Sequence, residues 1–114
     1  MQKVKPILPS QKEKKRYLVY EVITNKKLDK DPNKQIAAKA KRILGLFDSA
    51  EAGIQPVAYD NKKQRGVLRV NHRYVNKLKT SLMLMNSTER TTFILKTIGV
   101  SGILRKAHDK YIAG

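Results

Sequence analysis

The sequence predicts one α+β domain whose elements follow the order β-α-β-β-α-β, with one more helix near the C-terminus. Four short stretches are rich in β-branched and other apolar residues, which is typical of strands. In the stretches between them, apolar residues recur with the helical period of 3.6. The length agrees with one domain, because 114 residues are enough for one hydrophobic core and too few for two.

The first strand and the first helix have the clearest signals. Residues 17–24, Y-L-V-Y-E-V-I-T, are apolar on both faces, which predicts a central strand. Asp31-Pro32 then predicts a helix start, because proline is favoured in the first turn and aspartate caps free amides. The apolar face of this predicted helix consists of Ile36, Ala40, Ile43, Leu44 and Phe47.

Two strands joined by a tight turn are predicted next. Residues 54–60 form an edge strand, because Pro56 lacks the N–H that a central strand requires. Residues 61–64, N-K-K-Q, turn the chain into a returning strand over residues 65–71. Alternation places Leu68 and Val70 on one face of that strand, and the opposite face holds Val67, Arg69 and Asn71.

The C-terminal third repeats the pattern. A helix is predicted over residues 73–86, followed by a strand over residues 91–98 and a last helix. The apolar stripe of the first of these helices is Val75, Leu78, Leu82 and Met85, and the last helix carries Ile103, Leu104, Ala107 and Tyr111.

This order is that of a ferredoxin-like, RNA-recognition-motif-like sandwich: a four-stranded antiparallel sheet with two helices on one face, plus a C-terminal helix. We interpret residues 1–16 as a flexible basic arm and residues 17–114 as a single RNA-recognition-like domain. The apolar residues exceed what two helices can cover, so either the terminal helix or a protein partner should cover the open sheet face.

The charge predicts a polyanionic partner. Lys and Arg total 25 against nine acidic residues, a formal net charge of +16, which a compact protein tolerates by spreading the charge or by binding a polyanion. Residues 1–16, 61–80 and 96–110 contribute +5, +7 and +3, whereas residues 17–60 are nearly neutral. We therefore expect a one-sided electropositive surface. No apolar run is long enough to span a membrane, so a cytoplasmic protein without a membrane partner is expected.

Metal and nucleotide cofactors have no support in the sequence. The chain has no Cys, only His72 and His108, and no phosphate-binding G-x-x-x-x-G-K-[ST] motif. Asp29 and Asp31 are the only close carboxylate pair, and we interpret them as a helix cap rather than a metal site. No cofactor bound by the chain itself is expected.

The segment K-T-I-G-V-S-G-I-L-R-K, residues 96–106, is a candidate anion-binding loop. Glycines allow close backbone approach, and a helix that starts there directs free N–H groups at an anion. The candidate residues are Gly99, Ser101 and Gly102, flanked by Lys96, Arg105 and Lys106. The alternative is that the glycines only permit a tight strand-to-helix turn. The G-x-x-G clamp of KH domains joins two helices, so it fits this segment poorly.

The third strand is a second candidate for RNA contact. RNA-recognition motifs carry aromatic rings in the signature K/R-G-F/Y-G/A-F-V-x-F/Y, but Val67 and Arg69 replace the rings here. Without the stacking platform, we expect recognition of phosphate and of the shape of folded RNA. The candidate residues here are Arg65, Arg69, Asn71, His72 and Arg73, and the basic arm adds Lys12, Lys14, Lys15 and Arg16.

Three spaced motifs carry a family resemblance. They are K-K-R-Y-L-V-Y-E-V (residues 14–22), R-G-V-L-R-V-N-H-R-Y-V (65–75) and T-I-G-V-S-G-I-L-R-K (97–106). Together they resemble the archaeal ribonuclease P protein component 2 family over essentially the whole chain. The resemblance implies a noncatalytic subunit of the ribonucleoprotein that removes 5′ leaders from precursor tRNA.

The same resemblance implies partners. They are the catalytic RNA, protein component 3 and other holoenzyme proteins, with a possible homodimer within a two-plus-two assembly. Precursor tRNA would be contacted indirectly, and Mg²⁺ would be bound through the RNA. Two other functions remain open on the residues alone: a ribosomal-type structural RNA-binding protein, and a metal-independent endoribonuclease with His72 as general base.

Overall fold

The elements observed follow the predicted order with one additional short helix. The computed structural model describes residues 14–24, 31–88 and 93–113. The strands are β1 (Lys15–Thr24), β2 (Gln55–Asp60), β3 (Arg65–Asn71) and β4 (Phe93–Ser101). The helices are α1 (Asn33–Leu44), α2 (Leu46–Ala52), α3 (Val75–Thr88, after a 3₁₀ turn at His72–Tyr74) and α4 (Leu104–Ala107, continued by a π-helical turn at His108–Ala113). We refer to Leu104–Ala113 as the C-terminal helix.

The four strands form one antiparallel sheet in the order β2-β3-β1-β4. The predicted ferredoxin-like α+β fold is therefore confirmed. β1 is a central strand and is apolar on both faces, as its sequence indicated. β2 lies at an edge, and its register with β3 is irregular between Pro56 and Ala58. Proline is tolerated there because an edge strand has one unpaired side.

The larger core lies between the sheet and helices α1, α2 and α3. It contains Leu18 and Tyr20 of β1, Leu68 and Val70 of β3, and the predicted α3 residues Leu78, Leu82 and Met85. The Tyr20 hydroxyl donates a hydrogen bond of 2.6 Å to Asn33 Oδ1, and Asn33 Nδ2 donates to the carbonyls of Ala58 and Val67. These bonds join the start of α1 to the sheet. Asp31 Oδ1 accepts from the Asn33 amide at 2.8 Å, so its predicted capping role is confirmed; Asp29 lies outside the described residues.

The C-terminal helix covers the opposite face of the sheet. Ala107 and Ile112 pack on Val19 and Val67, with Tyr111 beside them. The Arg65 guanidinium fixes the end of this helix, because it donates to the Tyr111 carbonyl at 2.7 Å and pairs with Glu21 at 3.1 Å. Of the two alternatives for the open face, the structure thus favours coverage by the terminal helix. No helix within the described ranges is long and apolar enough to cross a membrane.

The predicted apolar face of the first helix is wrong at its end. Helix α1 stops at Leu44, and Gly45 has a φ of +88° that side chains rarely adopt. Phe47 therefore belongs to α2 and is 84% exposed rather than packed in the core. Ile43, also predicted to face the core, is 40% exposed.

Candidate RNA-binding surface

Three separate basic stretches meet at one end of the sheet. The register pairs Lys15 with Asn71 and Tyr17 with Ser101, so the start of β1 lies beside the ends of β3 and β4. The His72 amide also donates to the Lys14 carbonyl at 2.8 Å. We call this surface the basic end; its members are Lys14, Lys15, Arg16, His72, Arg73, Gly102, Arg105 and Lys106.

The charges of the basic end are accessible. Lys14, His72, Arg73, Arg105 and Lys106 are exposed, and Lys15 and Arg16 are half-buried. Arg105 lies 4.0 Å from Asp109, and both side chains are mostly exposed, so this pair neutralises little. Within the ranges that the structure describes, Lys14, Arg73 and Lys106 have no carboxylate partner. The basic end can therefore attract phosphate groups.

The G-V-S-G segment differs from its prediction as a loop. Gly99, Val100 and Ser101 continue β4 and pair with β1. A side chain at Gly99 would overlap the Tyr111 ring, so this glycine makes room for the C-terminal helix. The Ser101 hydroxyl accepts from the Ile103 amide at 3.2 Å and contacts the Ile103 carbonyl at 3.0 Å. This turn chemistry agrees with the alternative in which the motif shapes a strand-to-helix turn.

Gly102 is the member of that motif that faces the basic end. It is exposed, and a Cβ at this position would lie 3.4 Å from Arg16 Nη1. The Arg16 guanidinium is held over the turn, where Nη1 donates to the Lys15 carbonyl at 3.0 Å. Gly102 thus leaves the guanidinium of Arg16 open on this side. A phosphate could approach the turn and this arginine together.

The residues predicted from the third strand separate into three groups. Asn71 is fully buried; its Oδ1 accepts from the Arg73 amide at 3.1 Å, and its Nδ2 donates to the Glu51 carbonyl at 3.4 Å. Asn71 therefore orients the chain that carries His72 and Arg73, and its buried side chain is not accessible to RNA. His72 and Arg73 belong to the basic end.

Arg69 and Arg65 are partly engaged within the protein. Arg69 Nη2 donates to Gln55 Oε1, while its Nε is buried without a partner in the described residues. Arg65 binds Glu21 and the C-terminal helix, as described above. Lys96 of β4 is exposed and pairs in register with Glu21 of β1. Arg65 and Lys96 lie near the opposite end of the sheet, so the structure does not bring them to the basic end. Lys12 lies outside the described residues.

Two structural partners were not predicted from the sequence. Gln55 contacts Arg69 across the β2–β3 pair, and Tyr111 accepts from Arg65 across 46 residues of chain. Both contacts join residues that are distant in sequence, and neither follows from local spacing. Within the described residues, no group of three or more His, Cys, Asp or Glu side chains could hold a metal ion.

Comparisons with known proteins agree with this geometry. A family model described as the Rpp14/Pop5 family matches residues 16–112. Three archaeal relatives are each named ribonuclease P protein component 2. The protein from Pyrococcus abyssi is 31% identical over 112 residues, which cover 97% of this chain and 95% of the relative.

The other two relatives are as similar. The protein from Thermococcus gammatolerans is 31% identical over 113 residues, with 98% of this chain and 94% of the relative covered. The protein from Archaeoglobus fulgidus is 30% identical over 111 residues, with 96% of this chain and 98% of the relative covered. The resemblance predicted from the three motifs is thereby confirmed, and the chain belongs to the Rpp14/Pop5 family.

Proposed function

We propose that this chain is a noncatalytic, RNA-binding protein subunit of ribonuclease P, which removes 5′ leaders from precursor tRNA. The family and the names of the relatives support the assignment to ribonuclease P. The observation that carries the RNA-binding role is the convergence of three basic stretches at the basic end. The basic end binds the backbone of the catalytic RNA, and it reads phosphate positions rather than base sequence.

The chemistry of the basic end favours a supporting role over a catalytic one. Phosphodiester hydrolysis requires in-line geometry and charge neutralisation, which metal ions commonly supply. The basic end offers exposed cations, which screen phosphate repulsion. The catalytic RNA holds the Mg²⁺ for cleavage, and the protein lets the RNA fold at lower Mg²⁺.

The exposed apolar residues support protein partners within the same particle. Leu46 and Phe47 on α2 are 80% and 84% exposed, which is unusual for large apolar side chains that lie side by side. Protein component 3 is the first expected partner and a second copy of this chain the next. Sedimentation should show association that depends on concentration for the chain alone, and a discrete complex when component 3 is added.

A cleavage assay separates this function from its alternatives. Precursor tRNA is incubated with the protein alone, with the catalytic RNA alone, and with both, over a Mg²⁺ series. We expect no cleavage by the protein and a lower Mg²⁺ requirement with both components. Cleavage by the protein alone that His72→Ala abolishes would establish an endoribonuclease. Absence of any effect on the catalytic RNA would favour a structural role in another ribonucleoprotein.

The salt dependence of RNA binding tests the basic end itself. Each phosphate contact contributes about 0.9 to the slope of log K against log salt for duplex-like sites, and about 0.7 for single strands. Arg73→Ala/Lys106→Ala should therefore lower the slope by about 1.4 to 1.8. The matched control is Lys34→Ala/Lys62→Ala, which removes two exposed charges away from the basic end. Equal slopes for the two double variants would show that the overall charge, not the basic end, binds RNA.

A further inference from the structure

The two edges of the sheet differ in how open they are to another strand. β2 has six residues, contains Pro56 and has an irregular register with β3. β4 has nine residues without proline, and its outer side pairs with no strand among the described residues. An unpaired strand presents a row of N–H and C=O groups that can pair with a further strand. β4 is therefore the edge that a further strand can extend.

A groove follows the β4 edge. Its volume is about 620 Å³, and its walls come from consecutive residues of β4 together with α3 and the end of β1. Neighbouring strand residues point to opposite faces, so a groove that both sets line must follow the edge of the sheet. Ile23, Met83 and Ile94 are 46%, 67% and 56% exposed there. These aliphatic side chains can bury apolar residues of a bound segment.

The charges at this groove indicate what kind of segment fits. Its charged lining residues are Lys79 and Lys96, and no carboxylate belongs to the described lining. Glu21 aligns with Lys96 across the strands, but it is bound by Arg65 at 3.1 Å. The groove is thus cationic with an apolar floor. Among the described lining residues, bases would find no aromatic ring to stack on, and the β4 strand of a second copy would bring lysines near lysines.

We propose that the β4 edge binds an extended, acidic segment of a partner protein, which pairs with β4 as a fifth strand of the sheet. Backbone hydrogen bonds to β4 provide affinity, as in other cases of strand addition. Alternate side chains of the segment provide specificity. Its branched apolar residues pack against Met83 and Ile94, and its Asp or Glu residues lie beside Lys79 and Lys96. This surface is separate from the basic end.

Amide NMR spectra of the full chain test the proposal with synthetic peptides. Lys79 and Met83 of α3 lie on the sheet face that holds Leu95, whereas Ile94 and Lys96 point to the opposite face. The probe is therefore a capped ten-residue peptide with the repeat Val-Val-Glu-Glu, which places both Val and Glu on each face of an extended strand. We expect it to shift the amide signals of residues 93–97 and to slow the hydrogen exchange of their outward N–H groups. A Val and Lys peptide should have no effect, and a Val and Glu peptide with a central proline should bind more weakly because strand pairing is interrupted.

A charge-reversed variant gives the decisive comparison. Lys79→Glu/Lys96→Glu should weaken binding of the acidic peptide about tenfold or more, because two attractive contacts become repulsive, and it should acquire binding of the basic peptide. The control Lys34→Glu/Lys62→Glu should retain the original preference. Three results would overturn the proposal: equal binding of both peptides, signal shifts confined to other surfaces, or full protection of the outward β4 amides without peptide. Protection that grows with protein concentration would identify a second copy as the occupant.

Discussion

Gly66 is the position where a single methyl group should damage the fold most. It lies between Tyr20 of β1 and Tyr59 of β2 in the register of the sheet. A Cβ at this position would overlap the ring and hydroxyl of Tyr20. Tyr20 is fully buried and donates to Asn33 Oδ1 at 2.6 Å. In Gly66→Ala, therefore, either the ring must leave its place or the strands must separate.

The cost of Gly66→Ala follows from these contacts. Overpacking of a well-filled core costs about 1–3 kcal/mol. Displacement of the Tyr20 hydroxyl leaves the buried Asn33 oxygen without its donor, which costs about 1–3 kcal/mol more. We expect a loss of about 2–6 kcal/mol in the free energy of unfolding, from a total of about 5–15 kcal/mol for a typical domain.

Urea unfolding measures this loss, and a double-mutant cycle identifies its cause. In a Tyr20→Leu background the ring is gone, so Gly66→Ala should cost at least about 1 kcal/mol less than in the native background. Gly102→Ala is the matched glycine control, and it should change the stability by no more than about 0.5 kcal/mol because the site is exposed. Native-like stability of Gly66→Ala, or strict additivity in the cycle, would refute the packing argument.

Three further predictions concern the C-terminal helix, the buried tyrosine and the turn. Arg65→Met removes the donor to the Tyr111 carbonyl. Amide exchange in the C-terminal helix should therefore accelerate about ten- to hundredfold, while exchange in α3 stays unchanged. Equal acceleration in both helices would contradict this prediction. Burial raises the pKa of Tyr20, so the contribution of Tyr20 to stability should be constant below about pH 10 and fall above it as the unfolded state ionises. Tyr20→Phe should therefore make the alkaline fall in stability shallower, and an unchanged alkaline slope would contradict this. Gly102→Val crowds the Arg16 guanidinium, so RNA affinity should fall with little change in melting temperature. A parallel loss of stability would instead show that Gly102 serves only to form the turn.

The order of elements could be predicted because each one has a strong local pattern. β1 is apolar on both faces because helices cover the sheet on both sides. Its sequence shows this directly, since apolar residues occur at consecutive positions instead of alternating with polar ones. Pro56 placed β2 at an edge for a reason that is purely local, namely the missing N–H. The helix stripes of α3 also follow from sequence spacing alone.

The prediction errors arise where a single residue or a contact distant in sequence determines the local structure. The apolar period continues from Ile43 to Phe47, but the positive φ of Gly45 interrupts the helix between them. The glycines of G-V-S-G were ambiguous, because a glycine that admits a ligand and one that admits an aromatic ring look identical in sequence. Only the folded chain shows that the Tyr111 ring occupies the space above Gly99.

The sequence was enough to predict that the candidate surface is basic, but not which basic residues belong to it. Three stretches were recognisably basic, and the antiparallel register brings the relevant end of each together. Arg65 had the same appearance in the sequence as Arg73. Their difference depends on Glu21 and on the C-terminal helix, which approach Arg65 from elements distant in the chain.

The central position of β1 has a consequence for how the protein is made. β1 is the first of the described strands to be synthesised, yet its two neighbours, β3 and β4, begin 41 and 69 residues after β1 ends.

 The two intervals run from Thr24, the last residue of β1, to Arg65 and Phe93, the first residues of β3 and β4. Until β3 is synthesised, both edges of β1 are unpaired, and the face that the C-terminal helix covers stays open until residues 104–113 are made.

At a synthesis rate of about 5–20 residues per second, β1 remains in this state for several seconds. Exposed strand edges with apolar side chains are the segments most prone to pair with other chains. The nascent chain should therefore depend on a chaperone, or on early contact with its partners, more than its small size suggests.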